Sequence, residues 1–476
     1  MKGLRDRYAS LSVMAKASFW ALFCGVIQKF FSVLTTPFFT RILTADQYAQ
    51  YSLYQSWQDI LKIFICLNVF NYATYTAMVK FEDDRDGFIT SAQMLVTVLT
   101  LVGIAIYYIV RLVAGDVLGF PLPIVILLFF DILFFSAYSL WMQRKRYEYC
   151  YKAMTSVSLI VGIMGPIMGG AAVFAAENPG YGRIYGQAAV HIAVGLVLYI
   201  VTIAKAKVFI RREYWKYIFV FCLPLIPHFL STQILSRFDR IMIERMCGVA
   251  DVAVYSLAYN LSMLMLIVSE ALLSAYTPYT YQCIKEGREK GIKERTSQLL
   301  LLVAAANILL ILFAPEAVAI FAPAEYYEAI YIIPAVSASV YFMFLFNLFA
   351  NIEYYYSETR YVAMASVMAA VLNIVLNYIF IGKFGYIAAG YTTLISYIFY
   401  SIGHYFFMRK VTEKHVGGKK FYDHKRLLGI SLIFTSAALV AVPLYRYRVL
   451  RYLLIALIVG LLGLKRERII DMFRQK

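Results

Sequence analysis

Residues 89–110 read ITSAQMLVTVLTLVGIAIYYIV, with Arg85 and Asp86 just ahead and Arg111 just behind. Coiled as a helix at about 1.5 Å per residue, the stretch reaches about 33 Å, enough to cross the hydrocarbon core of a bilayer. It does not alternate polar with apolar residues, as a barrel strand would. Helices and closed barrels are the structures that satisfy every backbone group in lipid, so this stretch is expected to be a membrane-crossing helix. The same pattern recurs along the chain. The expected spans are 17–39, 49–72, 89–110, 119–142, 154–176, 184–204, 217–236, 251–277, 298–314, 329–350, 361–382, 386–408, 427–444 and 449–464. The fold class is therefore an all-α polytopic membrane protein of about fourteen spans.

Composition agrees. Of the 476 residues 62% are hydrophobic and 15% charged, where a soluble chain carries about 25% charged residues. The 40 Tyr and 35 Phe suit a chain with many interface crossings, where amphipathic rings settle at headgroup level. The six cysteines, Cys24, Cys66, Cys150, Cys222, Cys247 and Cys283, form no close pair such as C-x-x-C. They read as small packing residues. Lys2, Arg5, Arg7 and Lys16 precede an apolar segment that continues to about Phe39 without a small-residue cleavage site. That reads as an uncleaved first span.

A net charge of +17 raises the question of nucleic acid, and the placement of the charge answers it. With the N-terminus inside, the cytoplasmic loops receive 33 of the 45 Lys and Arg and the outer loops 10, while Lys29 and Lys62 fall within spans. Such an asymmetry is the signature of membrane topology, and it names anionic lipid rather than nucleic acid as the partner of the charge. Both termini are expected in the cytoplasm. Every outer loop is short, so no soluble catalytic domain fits outside. The stretch from Arg409 to Arg426 reads as a cytoplasmic linker.

An internal repeat is also visible. Shifting the chain by about 204 residues sets Arg41 on Arg245, Ala49 on Ala253, and Tyr51-Ser52-Leu53 on Tyr255-Ser256-Leu257. Nearby offsets set Ala153-Met154 on Ala363-Met364 and Gly182 on Gly385. Six spans separate the equivalents, so both halves start from the same side. Parallel repeats of this kind build transporters with a substrate site between the halves.

Ionisable side chains within spans are expensive and usually face a cavity or a partner. Span 1 carries Gln28, Lys29, Ser32, Thr35, Thr36 and Thr40 on one stripe; span 7 carries His228, Thr232, Ser236 and Asp239. Pro224 and Pro227 stand where they can bend span 7. Span 2 adds Tyr51, Gln55, Asp59 and Lys62, and span 8 adds Tyr255, Tyr259, Ser262 and Glu270. The simplest geometry turns these faces into a central water-filled cleft. The substrate-binding candidates are Lys29, Arg41, Asp59, Lys62, His228, Arg237, Arg240 and Glu270. Several have plainer readings. Asp59 and Lys62, one turn apart, can neutralise each other. Arg237, Asp239, Arg240, Glu244 and Arg245 form either an interfacial salt-bridge network or a headgroup site. Asp131 and His191 have no obvious partner, and His191 reads as a packing histidine. Tyr354 to Tyr356 read as an interface anchor. Lys29 has no nearby acid in its own span, which points it at a cavity. No catalytic or metal-binding motif appears and no cofactor is expected. Gly385 and Gly390 imitate a phosphate-binding loop without its lysine. Any energy source is then an ion gradient, the membrane potential, or the substrate's own gradient.

Thr40-Arg41-Ile42-Leu43 with Tyr48 and Tyr51-Ser52-Leu53 resembles the first outer loop of Wzx-type oligosaccharide-lipid flippases. So does the stretch from Leu223-Pro224-Leu225-Ile226-Pro227-His228 through Asp239-Arg240 to Tyr255-Ser256-Leu257. Ala314-Pro315-Glu316, Tyr327, Leu372-Asn373 and Gly385-Tyr386-Ile387-Ala388-Ala389-Gly390 continue the likeness, which runs to about Lys410. Ala49 stands where that family commonly has Gly. The resemblance implies the superfamily of multidrug, oligosaccharide-lipid and polysaccharide exporters. It implies two six-helix lobes in a V, here 1–212 and 213–410, with two C-terminal helices in 411–476. It further implies alternating access that moves an undecaprenyl-pyrophosphate-linked oligosaccharide repeat unit, such as an O-antigen unit, to the outer leaflet of a bacterial inner membrane. Lys29 would then draw the pyrophosphate inward, with Arg41 and His228 as helpers. H⁺ or Na⁺ is the candidate coupling ion, and a polysaccharide polymerase or chain-length protein the candidate protein partner. An ion-coupled drug antiporter or a peptidoglycan-precursor flippase of the same superfamily is the alternative. A membrane polymerase or ligase lacks the outer loop it would need.

Overall fold

The structure, a computed structural model, describes residues 13–205 and 209–467; within the first helix the side chains of Lys29 and Ser32 lie outside the described set. Among the described residues all regular structure is helical. Contacts divide the chain into two compact units, Met1–Gln233 and Ile234–Lys476.

In the first unit α1 (Val13–Ile42) leads into α2 (Ala45–Ile65) through Thr44, whose side chain and that of Gln47 form a reciprocal capping box. Then come α3 (Tyr72–Lys80), α4 (Arg85–Ala114), α5 (Leu122–Tyr147), α6 (Tyr151–Val173), α7 (Pro179–Lys205), α8 (Arg212–Cys222) and α9 (Ile226–Gln233). The expected span 49–72 is not one helix. It breaks after Ile65, where Leu67 and Asn68 both take a left-handed φ of 49°. Asn accepts that conformation readily, but a leucine there is strained. The Thr74 hydroxyl donates to the Val69 carbonyl at 2.7 Å, satisfying backbone that the break would leave bare. Packing in this unit relies on glycine. A methyl group at Gly186 of α7 would strike the Met168 carbonyl oxygen of α6, and one at Gly195 would strike the Phe134 carbonyl of α5. Small residues let helices approach closely in lipid, where apolar burial gives no advantage over the acyl chains.

In the second unit α10 (Asp239–Met246) comes directly after a π-helical turn at Ile234–Phe238. The seventh expected span is thus interrupted twice, by a 3₁₀ turn at Leu223–Leu225 beside Pro224 and Pro227 and by the π turn. The 3₁₀ turn falls at the first of the two prolines, and the second opens the next helix. Next come α11 (Val249–Ser262), α12 (Leu264–Glu286), α13 (Glu289–Leu312), α14 (Ala314–Phe321), α15 (Ile333–Tyr355), α16 (Thr359–Phe384), α17 (Ile387–Val416), α18 (His424–Leu444) and α19 (Arg448–Leu464). The core is α15, buried on nearly every side, as a helix apolar all round must be. Tyr341 of α15 stacks on Phe434 of α18 at 4.2 Å and shares a hydrogen bond with Ser431.

Ten helical segments among the described residues are long and apolar enough to cross a membrane. The four expected spans outside that set, at α1, α2, α17 and α19, are helical too. The repeat is seen in the helix starts. Ala45 opens α2 and Val249 opens α11, so Tyr51 and Tyr255 occupy the same position in equivalent helices.

One sequence reading needs correction. Arg409–Arg426 is less a linker than a docked segment. α17 runs on to Val416, Phe421 and Tyr422 are buried, Tyr422 donates to the Leu348 carbonyl at 2.5 Å, and Lys419 pairs with Glu289 at 2.8 Å. Arg451, in the first turn of α19, is buried against the Leu312 carbonyl and the Glu316 carboxylate. An acid one helix away is a better partner than distant water.

Candidate functional site

Each unit buries a carboxylate within a membrane helix and surrounds it with donors. In the first unit it is Asp131, nine residues into α5 and almost fully buried. Tyr54 and Gln58 stand one turn apart on α2 and so share a face. They donate to Asp131 Oδ2 at 2.9 and 2.6 Å. His191 of α7 meets Oδ1 at 2.9 Å. The two residues that had no visible partner in the sequence are each other's partner. Asp59 and Lys62 form the expected local pair at 3.2 Å, both half-buried. The Lys62 ammonium also lies 4.1 Å from the centre of the Phe135 ring, a cation–π contact next to the Asp131 cluster.

The same unit holds a guanidinium that loop counting had assigned to an outer loop. Arg183 lies in the first turns of α7, its side chain 3.8 Å over Phe39, 3.9 Å over Tyr51 and 5.1 Å over Tyr48. A planar, weakly hydrated cation stacks on rings where an ammonium would stay in water.

In the second unit the buried carboxylate is Asp239, at the start of α10, beyond the π turn. Tyr255 donates to it at 2.6 Å, Asn377 of α16 at 2.6 Å and Thr393 of α17 at 2.9 Å. Asn377 in turn reaches Asn373 at 3.2 Å and accepts from Thr392. Arg240, next in the chain, is also buried. It donates to Ser256 at 3.1 Å and to the Ser236 carbonyl at 2.9 Å, and lies 4.4 Å over the Tyr259 ring. A π turn shifts the helical register of the residues beyond it, and such turns gather at functional positions; this one delivers Asp239 and Arg240 inward together. Of this cluster, Asp239 and Arg240 are buried within the protein.

The remaining candidates are dispersed. Arg41 is exposed at the end of α1, with Nη1 on the Pro37 carbonyl at 3.0 Å. His228 is half-buried on α9 beside Phe229, at 5.6 Å between rings. Arg237 is half-buried in the π turn and Glu270 is exposed on α12. The side chain of Lys29 lies outside the described residues. Arg183, Asn377 and Thr393 were not singled out in the sequence. The Gly182–Gly385 match of the repeat lay beside Arg183, and the Leu372-Asn373 and Gly390 motifs flanked the other two.

The comparisons with known proteins fit this architecture. A family model described as "Polysaccharide biosynthesis protein" matches residues 14–284, and a MatE model matches residues 224–379. Lsg locus putative protein 1 of Haemophilus influenzae is 26% identical over 167 residues, 33% of this chain, and the match spans 40% of that relative's length. A lipid II flippase MurJ in an inward closed conformation has a TM-score of 0.70 at 15% identity, covering 96% of this chain and 100% of that one. An inward-facing multidrug resistance MATE family transporter of the MOP superfamily has a TM-score of 0.64 at 14% identity, covering 82% and 96%. A MOP superfamily transporter from Pyrococcus furiosus has a TM-score of 0.55 at 14% identity, covering 84% and 96%. At such identities the likeness is one of fold.

Proposed function

We propose that this chain, which belongs to the polysaccharide biosynthesis protein family, is a multi-pass membrane flippase for lipid-linked oligosaccharide. It moves an undecaprenyl-pyrophosphate-linked repeat unit from the cytoplasmic to the outer leaflet of a bacterial inner membrane by alternating access. The observation that carries the reading is the family match over residues 14–284, in a chain whose membrane helices bury Asp131, Asp239 and Arg240. Sugars and pyrophosphate cannot cross hydrocarbon alone, since each unpaired polar group costs several kcal/mol there. A polar path through the protein removes that cost while the lipid tail stays in the bilayer. An inside-negative potential favours outward movement of the anion by about 2.3 kcal/mol per charge per 100 mV.

For the pyrophosphate we assign the cations Lys29, Arg41, Arg237 and Arg240, with His228 as a helper. Asp59, Lys62 and Glu270 are assigned to the sugar. The likeness to a lipid II flippase over nearly the whole chain supports a second reading, a peptidoglycan-precursor flippase. Complementation separates the two. The gene is placed in one strain lacking its own oligosaccharide-unit flippase and in another depleted of its lipid II flippase. Our reading expects surface polysaccharide to return in the first, normalised to protein in the membrane, with lysis unrelieved in the second. Rescue of the second alone would replace it with the other reading. Energised efflux of cationic dyes, with neither rescue, would make the chain a drug antiporter.

A further inference from the structure

The second unit contains another buried acid that the site above does not use. Glu353 lies in the last turn of α15 and His404 in the middle of α17. His404 Nδ1 is 2.9 Å from Glu353 Oε1, and both side chains are wholly buried. The imidazole stacks on Phe346 at 5.4 Å and packs against Tyr400 at 4.7 Å. Each partner keeps one buried polar atom, Glu353 Oε2 and His404 Nε2, without a hydrogen-bond partner among the described residues.

A carboxylate beside a neutral imidazole would leave a full negative charge in this interior, at a cost of several kcal/mol. The neighbouring groups do not compensate it. Among the described residues the ionisable groups that act on Glu353 are His404 and Tyr400, and the Tyr400 phenol carries no positive charge. From α12, Tyr276 is bonded to Thr296 and Tyr281 packs on Tyr355. From α13, Arg295 lies over Tyr279. Tyr422, ahead of α18, is spent on the Leu348 carbonyl. On α16 and the far end of α17, Arg360, Lys414 and His415 are gathered on Glu358. One added proton makes the pair neutral, whether it rests on the carboxyl or on the imidazole.

We infer that Glu353 and His404 together form a proton-binding site: the pair holds one exchangeable proton while α15 and α17 enclose it, and returns that proton to water when their contact opens. No bond other than O–H or N–H is made or broken, and no electron moves. Proton binding stands on the geometry alone; its role as the coupling step of transport rests on the flippase reading.

The test uses the full chain, purified into lipid nanodiscs and titrated from neutral to alkaline pH under infrared difference spectroscopy. Wild type should show the pair losing one proton, either as a carboxylic acid band giving way to a carboxylate or as an imidazolium band giving way to imidazole with the carboxylate band shifted. In Glu353→Gln that change should fall to background, and in Glu353→Asp it should persist at a shifted pH. His404→Gln, which leaves the acid in place, should move the same transition and so serves if Glu353→Gln does not fold. A wild-type titration unchanged in Glu353→Gln, or in His404→Gln, overturns the site. Proteoliposomes holding a pH-sensitive dye and a purified undecaprenyl-pyrophosphate oligosaccharide then test coupling. Wild type should move protons with substrate, and Glu353→Gln should lose the proton movement. Substrate flipping with normal proton movement in Glu353→Gln overturns the coupling role. Failure of wild type to flip substrate defeats the flippase reading, while the titration still decides the proton site.

Discussion

The two units contain the same pair of chemical groups on equivalent helices. α5 and α7 bring Asp131 to His191, and α15 and α17 bring Glu353 to His404, both at 2.9 Å. The surroundings differ. Asp131 accepts from Tyr54 and Gln58 and meets His191 Nδ1, so three polar groups surround it. Among the described residues Glu353 bonds to His404 alone, and its Oε2 has no hydrogen-bond partner. Hydrogen bonds to the charged form of a buried carboxylate favour it, and a shortage of donors favours the proton. The supply of donors, more than the depth of burial, sets these two apart.

The largest test of this contrast is removal of each acid. Asp131→Ala strands a phenol, an amide and an imidazole, and should cost about 3–5 kcal/mol. Glu353→Gln should stay within about 1 kcal/mol of wild type, because an amide still bonds to the imidazole and buries no charge. Thermal denaturation of the two purified variants measures the difference, and equal losses would break the contrast.

Very little of that contrast could be read from the sequence. Apolar runs near twenty residues marked the spans, and Pro224 and Pro227 marked the 3₁₀ turn, because both signals are local. Asp131 and His191 are sixty positions apart in the chain, and no periodicity joins them; their pairing depends on how α5 and α7 pack. Glu353 and His404 were passed over for the same reason. The break at Leu67 and Asn68 carried no proline or glycine to announce it. Arg183 was misplaced because counting charges by loop treats an arginine near a helix start as solvated, whereas three rings shelter this one.

Packing gives the next largest effect. Gly186→Ala in the first unit forces α7 off the Met168 carbonyl and should cost about 1–3 kcal/mol. Gly403→Ala in the second unit meets open space, and should be neutral or stabilising by up to about 1 kcal/mol, since alanine is the better helix former. The melting temperatures should move in opposite directions. A loss at Gly403 as large as at Gly186 would show that close glycine packing is not peculiar to the first unit.

Smaller still is the difference between the repeat-related tyrosines. Tyr255→Phe removes a hydroxyl that donates to buried Asp239 and should cost about 1.5–3 kcal/mol, the range for hydrogen bonds to charged groups. Tyr51→Phe keeps the ring under Arg183, loses the bond that its hydroxyl accepts from the uncharged Gln55 amide, and should cost about 0.5–1.5 kcal/mol. Denaturation of both variants, with membrane yield as a second readout, tests whether the repeat preserved position while changing the role.

The smallest expected effect concerns an acid on the loop between α15 and α16. Lys414 and then His415 bond to Glu358 and hold its carboxyl down to about 2. An unfolded glutamate titrates near about 4.3, so the folded chain binds fewer protons at this position between those values. The contribution to stability is complete above the unfolded value and disappears as pH falls through that window toward about 2. The partners of Glu358, Lys414 and Arg360, are open to solvent and salt, which keeps the contribution small at neutral pH. Glu358→Gln should therefore leave the melting temperature near neutrality almost unchanged and flatten its decline on acidification below the unfolded value. Glu353 lies five residues earlier and fully enclosed, and its substitution should leave that acid slope intact while abolishing the alkaline infrared transition. A Glu358→Gln variant with the full acid slope, or a Glu353→Gln variant that lost it, would mean that these two acids do not titrate as separate groups.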